Sequence, residues 1–295
     1  MRYCILSILL SICHVAIGQE QVASDMQILY RRVVYALAAD SMKGRLAGTA
    51  DEIMAGDFLS KEFRAMAQFH PVSQIFNYRT ADTGLTLSGR NIYCYIDNHA
   101  DSTILLGAHY DHIGFGGSMS KSYGKTGVHP GADDNASGVA LLLGLAGRVD
   151  SWVVKKYNYL LVGFAAHEVG LYGSTAFYKF CKTQFPPICE MLNFDMVGRL
   201  DSQLKTISIY SNRKQERYKE AANTVDSSLV ILTDEPEKIP ETDCKAFAAG
   251  GVECLSFTTG IHEDYHKLTD DPFKINFAGI WVMQQLVEAI LRARN

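Results

Sequence analysis

Along residues 25–40, DMQILYRRVVYALAAD, apolar side chains return at the spacing of one face of a helix. A polar link, SMKGRLAGT, leads to a second helical pattern over about 51–69. The period then changes. NIYCYI, TILLGAHY and NYLLVGFAA are short runs of the kind strands use, and between the last two lies ASGVALLLGLAGRV, apolar all round and so a buried helix. Farther on, FYKFCK reads as helix, CEMLNFDMVG and TISIY as strands, AFAAGGVECLSF as helix, turn and strand, and FAGIWVMQQLVEAILRA as a closing helix. Strands alternating with helices predict an α/β fold with a largely parallel sheet. Unbroken apolar strands such as YLLVGFAA need cover on both faces. No repeat or Pro/Ser-rich linker divides the chain, which is read as one domain over residues 19–295. The Gly/Ser-rich stretch IGFGGSMSKSYGKTGVHPG has the length of a functional loop.

The opening MRYCILSILLSICHVAIG departs from this pattern. Arg2, an apolar run and the small-x-small end Ala16-Ile17-Gly18 predict a secretory leader over residues 1–18, hence a secreted or periplasmic protein starting at Gln19. The run is short for a membrane span and is interrupted by His14; Ile12 stands where a small residue would precede a lipid-modified Cys13. Five cysteines follow the leader: Cys94, Cys181, Cys189, Cys244 and Cys254. Two locally spaced pairs, 181/189 and 244/254, and an exported setting lead to the expectation of one disulfide. The 295 residues, 47% of them hydrophobic, suffice for a sizeable core. A formal charge of −4 without Lys/Arg runs leaves out the basic footprint of a nucleic-acid binder.

Ligands of open α/β sheets gather at the carboxyl ends of strands. Here those ends carry His109, Asp111 and His112; His167 and Glu168; and Asp195. The loop PGADDNASG adds Asp133 and Asp134, and IHEDYHKLTDD after the last strand adds His262, Glu263, Asp264 and His266. So many acids packed together without cations would repel, and an unpaired buried carboxylate is costly. Divalent metal resolves both problems; mixed His and carboxylate donors suit zinc, and the set is large enough for two ions. His112 and His129 are read as satisfied structural histidines, His262 and Glu263 as solvated loop residues. There is no G-x-S-x-G elbow and no Walker or G-x-G-x-x-G loop, and HEVGL is not H-E-x-x-H.

Together GAHYDH, HPGADDNASGV, AAHEVGLYGS, NFDMVG and DYHKLTDDPFKIN resemble the M28 family of di-zinc aminopeptidases, in order and spacing, from about Leu87 to the C-terminus. The resemblance implies a mixed, mostly parallel sheet between helices, a peptide substrate and two zinc ions. It implies that His109 and Asp195 serve one ion, Glu168 and His266 the other, and that Asp134, followed by a cis peptide, bridges them. Asp111 would orient His109, and Tyr265 would polarise the scissile carbonyl or stabilise its oxyanion. The specificity pocket would draw on loops 113–130 and 235–245. Relatives with this fold include glutaminyl cyclases, which work with one zinc.

One position departs from the family pattern, which has Glu-Glu where this chain has His167-Glu168. The second Glu, a ligand, is kept; the first, the general base, is not. His167 replaces that base, or adds a metal ligand, or marks a site that binds peptide without efficient turnover.

Overall fold

The computed structural model describes residues 2–80, 84–213, 217–233 and 241–294, with side chains from Glu20 onward except that of Arg217. Helices α1 (Arg2–Leu37) and α2 (Ala50–Ala65) come first, then strands β1 (Val72–Arg79), β2 (Thr86–Ile96) and β3 (Thr103–His109). After α3 (Gly138–Gly147) and the short α4 (Val149–Trp152) follow β4 (Asn158–Phe164), α5 (Tyr172–Gln184), β5 (Ile188–Phe194) and β6 (Thr206–Ser211). The chain ends with α6 (Arg217–Val225), β7 (Val230–Thr233), α7 (Cys244–Ala249), β8 (Glu253–Thr258) and α8 (Phe277–Arg292). The leader expected over residues 1–18 has side chains outside the described ones; from Arg2 on the backbone there is part of α1. Among the described residues no helix is long and apolar enough to cross a membrane.

The strands form one sheet in the order β1-β2-β4-β3-β5-β8-β6-β7. Its centre, β4-β3-β5-β8, is parallel, while β2 joins β4 and β6 joins β8 antiparallel, so the sheet is mixed as expected. All seven residues of β3 and of β4 are buried. Successive side chains serve opposite faces. Ile104, Leu106, Tyr159 and Leu161 meet α1, α3 and α8, whereas Leu105, Leu160, Val162 and Phe164 meet Phe177 of α5 and Phe247 of α7.

The expected disulfide does not form: Cys94, Cys181, Cys189, Cys244 and Cys254 are all free. Cys181 belongs to the core between α5 and the sheet, and Cys254 Sγ donates to backbone oxygens of Val252 and Cys244 rather than bonding the second sulfur. They behave as small apolar side chains.

Candidate metal centre

The four parallel strands end along one edge of the sheet. There β3 delivers His109 and the turn to Asp111 and His112, β4 runs through Ala165-Ala166 to His167 and Glu168, and β5 gives way to Asp195. Asp134 lies just before α3, and the loop after β8 brings Tyr265 and His266 back over the edge. Ala166, Met196 and His266, each a ligand candidate or the neighbour of one, have left-handed backbone (φ 55, 55 and 57°). Such conformations collect at functional sites because the surrounding fold must enforce them.

The five residues read from the sequence as ligands meet. His109 Nε2 lies 3.5 Å from Asp134 Oδ1 and 3.6 Å from Asp195 Oδ1. His266 Nε2 lies 3.3 Å from Asp134 Oδ2 and 3.2 Å from Glu168 Oε2. Asp134 thus turns one oxygen to each group, as a bridging carboxylate must, and the Asp134–Asn135 peptide is cis. His109 Nε2, His266 Nε2 and Asp134 Oδ2 are buried and make no hydrogen bond. Each such orphan costs about 1–3 kcal/mol in a buried setting, which a shared cation would relieve. The residues fit zinc.

Their supports are equally specific. Asp111 accepts from the backbone N–H of His167 (3.0 Å) and of Glu168 (3.1 Å), fixing the end of β4. Its main-chain oxygen, not its carboxylate, contacts His109 Nδ1, at 3.2 against 3.8 Å. Asn135 donates to Phe194 O and accepts from Gly138 N and Met196 N, locking the Asp134 loop to β5. Asp270 accepts from the N–H of Asp133 and of Asp134. The guanidinium of fully buried Arg45 donates to the carbonyls of Leu37, Tyr110, Pro130 and Gly131. Gly131 admits no side chain, since a Cβ there would lie 2.3 Å from Asp134 O.

Two histidines differ from expectation. His112 is no remote structural residue: its Nδ1 lies 2.9 Å from Glu168 Oε1 and 3.7 Å from Asp134 Oδ2, close enough for the three to form a metal-binding group. His262 is not solvated; Asp133 Oδ2 holds its Nε2 at 3.0 Å. His129 pairs with Ser120 Oγ as a structural histidine should, and Glu263 is exposed. Asp264 takes Lys274, Thr269 and Arg199 and stays outside the cluster.

A cavity of about 160 Å³ opens on the centre, lined by Asp134, His167, Glu168, Asp195 and Tyr265 together with Met196, Tyr210, Thr258 and Ile261. Glu241 and Thr242 also line it; residues 235–240 of the second expected wall lie outside the described residues. Loop 113–130 does not line this cavity but braces His266, whose Nδ1 meets Met119 O and whose carbonyl accepts from Lys121 N.

Burial and nearby His167 draw the His109 imidazole down in pKa, yet Asp195 and Asp111 hold it up at about 9. Burial works against His266 too, but Asp134 and Glu168 raise it to about 10. Both therefore carry protons at neutral pH in the metal-free protein, and an ion must displace them. Zinc uptake at pH 7 is expected to release one proton from each, and affinity to tighten with rising pH until it levels near pH 9–10. Calorimetry in buffers of different ionisation enthalpy checks this; uptake without proton release would contradict it.

The family model described as "Peptidase family M28" matches residues 91–291. A probable leucine aminopeptidase of Arthroderma otae is 36% identical over 104 residues, 34% of this chain and 26% of that protein. The chain thus spans about a quarter of the length of that curated relative. Its fold is that of a zinc aminopeptidase from Bacillus subtilis, with a TM-score of 0.74 at 15% identity over 91% of this chain and 95% of the other. A glutaminyl cyclase from Fimbriiglobus ruber superposes as well, with a TM-score of 0.76 at 16% identity, covering 91% and 95%.

Proposed function

Because the chain belongs to peptidase family M28, we propose that it is a zinc-dependent exopeptidase that removes N-terminal residues from peptides. The observation that carries the reading is the two-sided ligand set about Asp134, with its buried, unpartnered donor atoms. His109, Asp195 and Asp134 would hold one ion, Asp134, Glu168 and His266 a second. Zinc there supplies Lewis-acid polarisation and a bound water of low pKa. A cavity of side-chain size favours one terminal residue over a threaded chain. Tyr265 keeps its proton, since burial and the charges of Asp134, Glu168 and Asp195 raise its pKa, so its hydroxyl is a donor for the carbonyl or its oxyanion. His167, on the cavity wall, carries the proton to the leaving amine. We further propose that residues 1–18 act as a leader and that the protein is exported, a reading supported by Arg2, the apolar run and Ala16-Ile17-Gly18.

A glutaminyl-cyclase-type acyl transfer fits the same fold, but the resemblance implies a single zinc for it, and the donor set here extends to both sides of Asp134. The deciding experiment runs zinc-loaded protein on aminoacyl-anilides, their N-acetylated counterparts and an N-terminal glutaminyl peptide. Turnover of free-amine substrates alone, abolished by chelator and restored by zinc, is expected. Cyclisation without hydrolysis would transfer the assignment to acyl transfer; binding without turnover would leave a peptide-binding protein.

A further inference from the structure

His167 has a partner that lies 76 residues away. Asp243, at the N-terminus of α7, places Oδ2 3.0 Å from His167 Nδ1, and its side chain is only 1% exposed. With Nδ1 engaged there, Nε2 is the nitrogen left for the cavity that His167 lines. The imidazole also lies flat on that of His109, with centroids 3.8 Å and planes 11° apart.

This stacking separates two roles. A metal takes an imidazole lone pair in the plane of the ring. An ion shared by two stacked rings would stand out of at least one plane by roughly half their spacing, most of a Zn–N bond of about 2.0–2.1 Å. His167 is therefore no co-ligand with His109, although a nitrogen of each lies within 4.8 Å of the other and of Asp195.

We infer that Asp243 is a positioning residue: when metal occupies the centre and His167 is neutral, it holds the ring as the Nδ1–H tautomer and presents the Nε2 lone pair to the cavity. The proton bound at one ring nitrogen is set by the hydrogen bond the other surroundings impose, and a carboxylate on Nδ1 is an effective way to set it. The inference rests on the peptidase reading for its catalytic consequence, but not for its geometry.

Asp243→Asn keeps the size and can turn an amide N–H toward Nδ1, favouring the wrong tautomer. In zinc-loaded enzyme kcat is expected to fall about 10²–10⁴-fold, KM to stay within a few-fold and zinc content to be unchanged. In a His167→Ala background the same substitution should cost little more. An unaltered kcat, an equal loss without His167, or a lost zinc ion would overturn the inference. Should the wild type turn over no peptide, the peptidase reading fails and ¹⁵N-histidine NMR of the zinc-loaded protein decides this one alone. A protonated Nδ1 and bare Nε2 on wild-type His167 support it, and any other pattern overturns it, even where Asp243→Asn does not fold.

Discussion

Asp134→Ala is expected to take up far less zinc than the wild type at either site and to lose about 10³-fold or more in peptidase rate. Asp134 faces both halves of the centre, 3.5 Å from His109 Nε2 and 3.3 Å from His266 Nε2. Losing it takes a donor from both halves of the centre and leaves His109 with Asp195, and His266 with Glu168, across an uncompensated gap. Metal activation supplies several kcal/mol of transition-state stabilisation, at 1.36 kcal/mol per decade of rate. Asp195→Ala should by contrast weaken one site and spare the other. Metal analysis after dialysis, beside rates on the best anilide, reads both. Wild-type zinc content in Asp134→Ala would sink the ligand assignment.

Arg45→Met should produce the largest loss of stability. It strands three buried carbonyls, those of Leu37, Tyr110 and Pro130, while Gly131 O keeps the N–H of Ala136. A buried acceptor without a partner costs about 1–3 kcal/mol, so even with relaxation the sum is about 3 kcal/mol or more, a fall of roughly 6 °C or more in Tm. The charge matters as well: burial lowers the guanidinium to a pKa of about 10, and Asp134, Asp111, Asp270 and Glu168 oppose that fall. Arg45→Met therefore also deprives the acids of a neighbouring cation. Lys245→Ala is the control, because Lys245 and its partner Glu241 are both exposed, and such pairs are worth up to about 1 kcal/mol. Thermal unfolding of the metal-free proteins compares them; equal losses would show that the three carbonyls find other donors.

What the sequence disclosed followed burial. β3 and β4 are covered on both faces, so their apolar runs were unmistakable, and the ligands stood at their ends. β1 and β7 were missed because edge strands need no such run: β1 is exposed at five of eight positions and β7 at three of four. The nine-residue α6 has a stripe, Tyr218, Ala221, Ala222 and Val225, but two of its four members are alanines in a mostly polar segment, a weak signal to read. His112 was misjudged because a histidine at a turn looks the same whether it meets a ligand or fills space; the contact with Glu168 spans 56 residues. Asp243 had no signal at all, standing in a polar stretch where a carboxylate is unremarkable. Only the fold brings α7 against the end of β4.

The left-handed backbone at Ala166, Met196 and His266 has a thermodynamic meaning. Each side chain bears a Cβ that local preference would place in another basin, at a cost on the order of 1 kcal/mol. Elsewhere pattern, propensity and burial agree; here they conflict, so a consistent core carries a frustrated rim. The free energy that keeps the donors at fixed spacing is supplied by that core during folding, and an incoming ion meets a preorganised shell instead of having to assemble one.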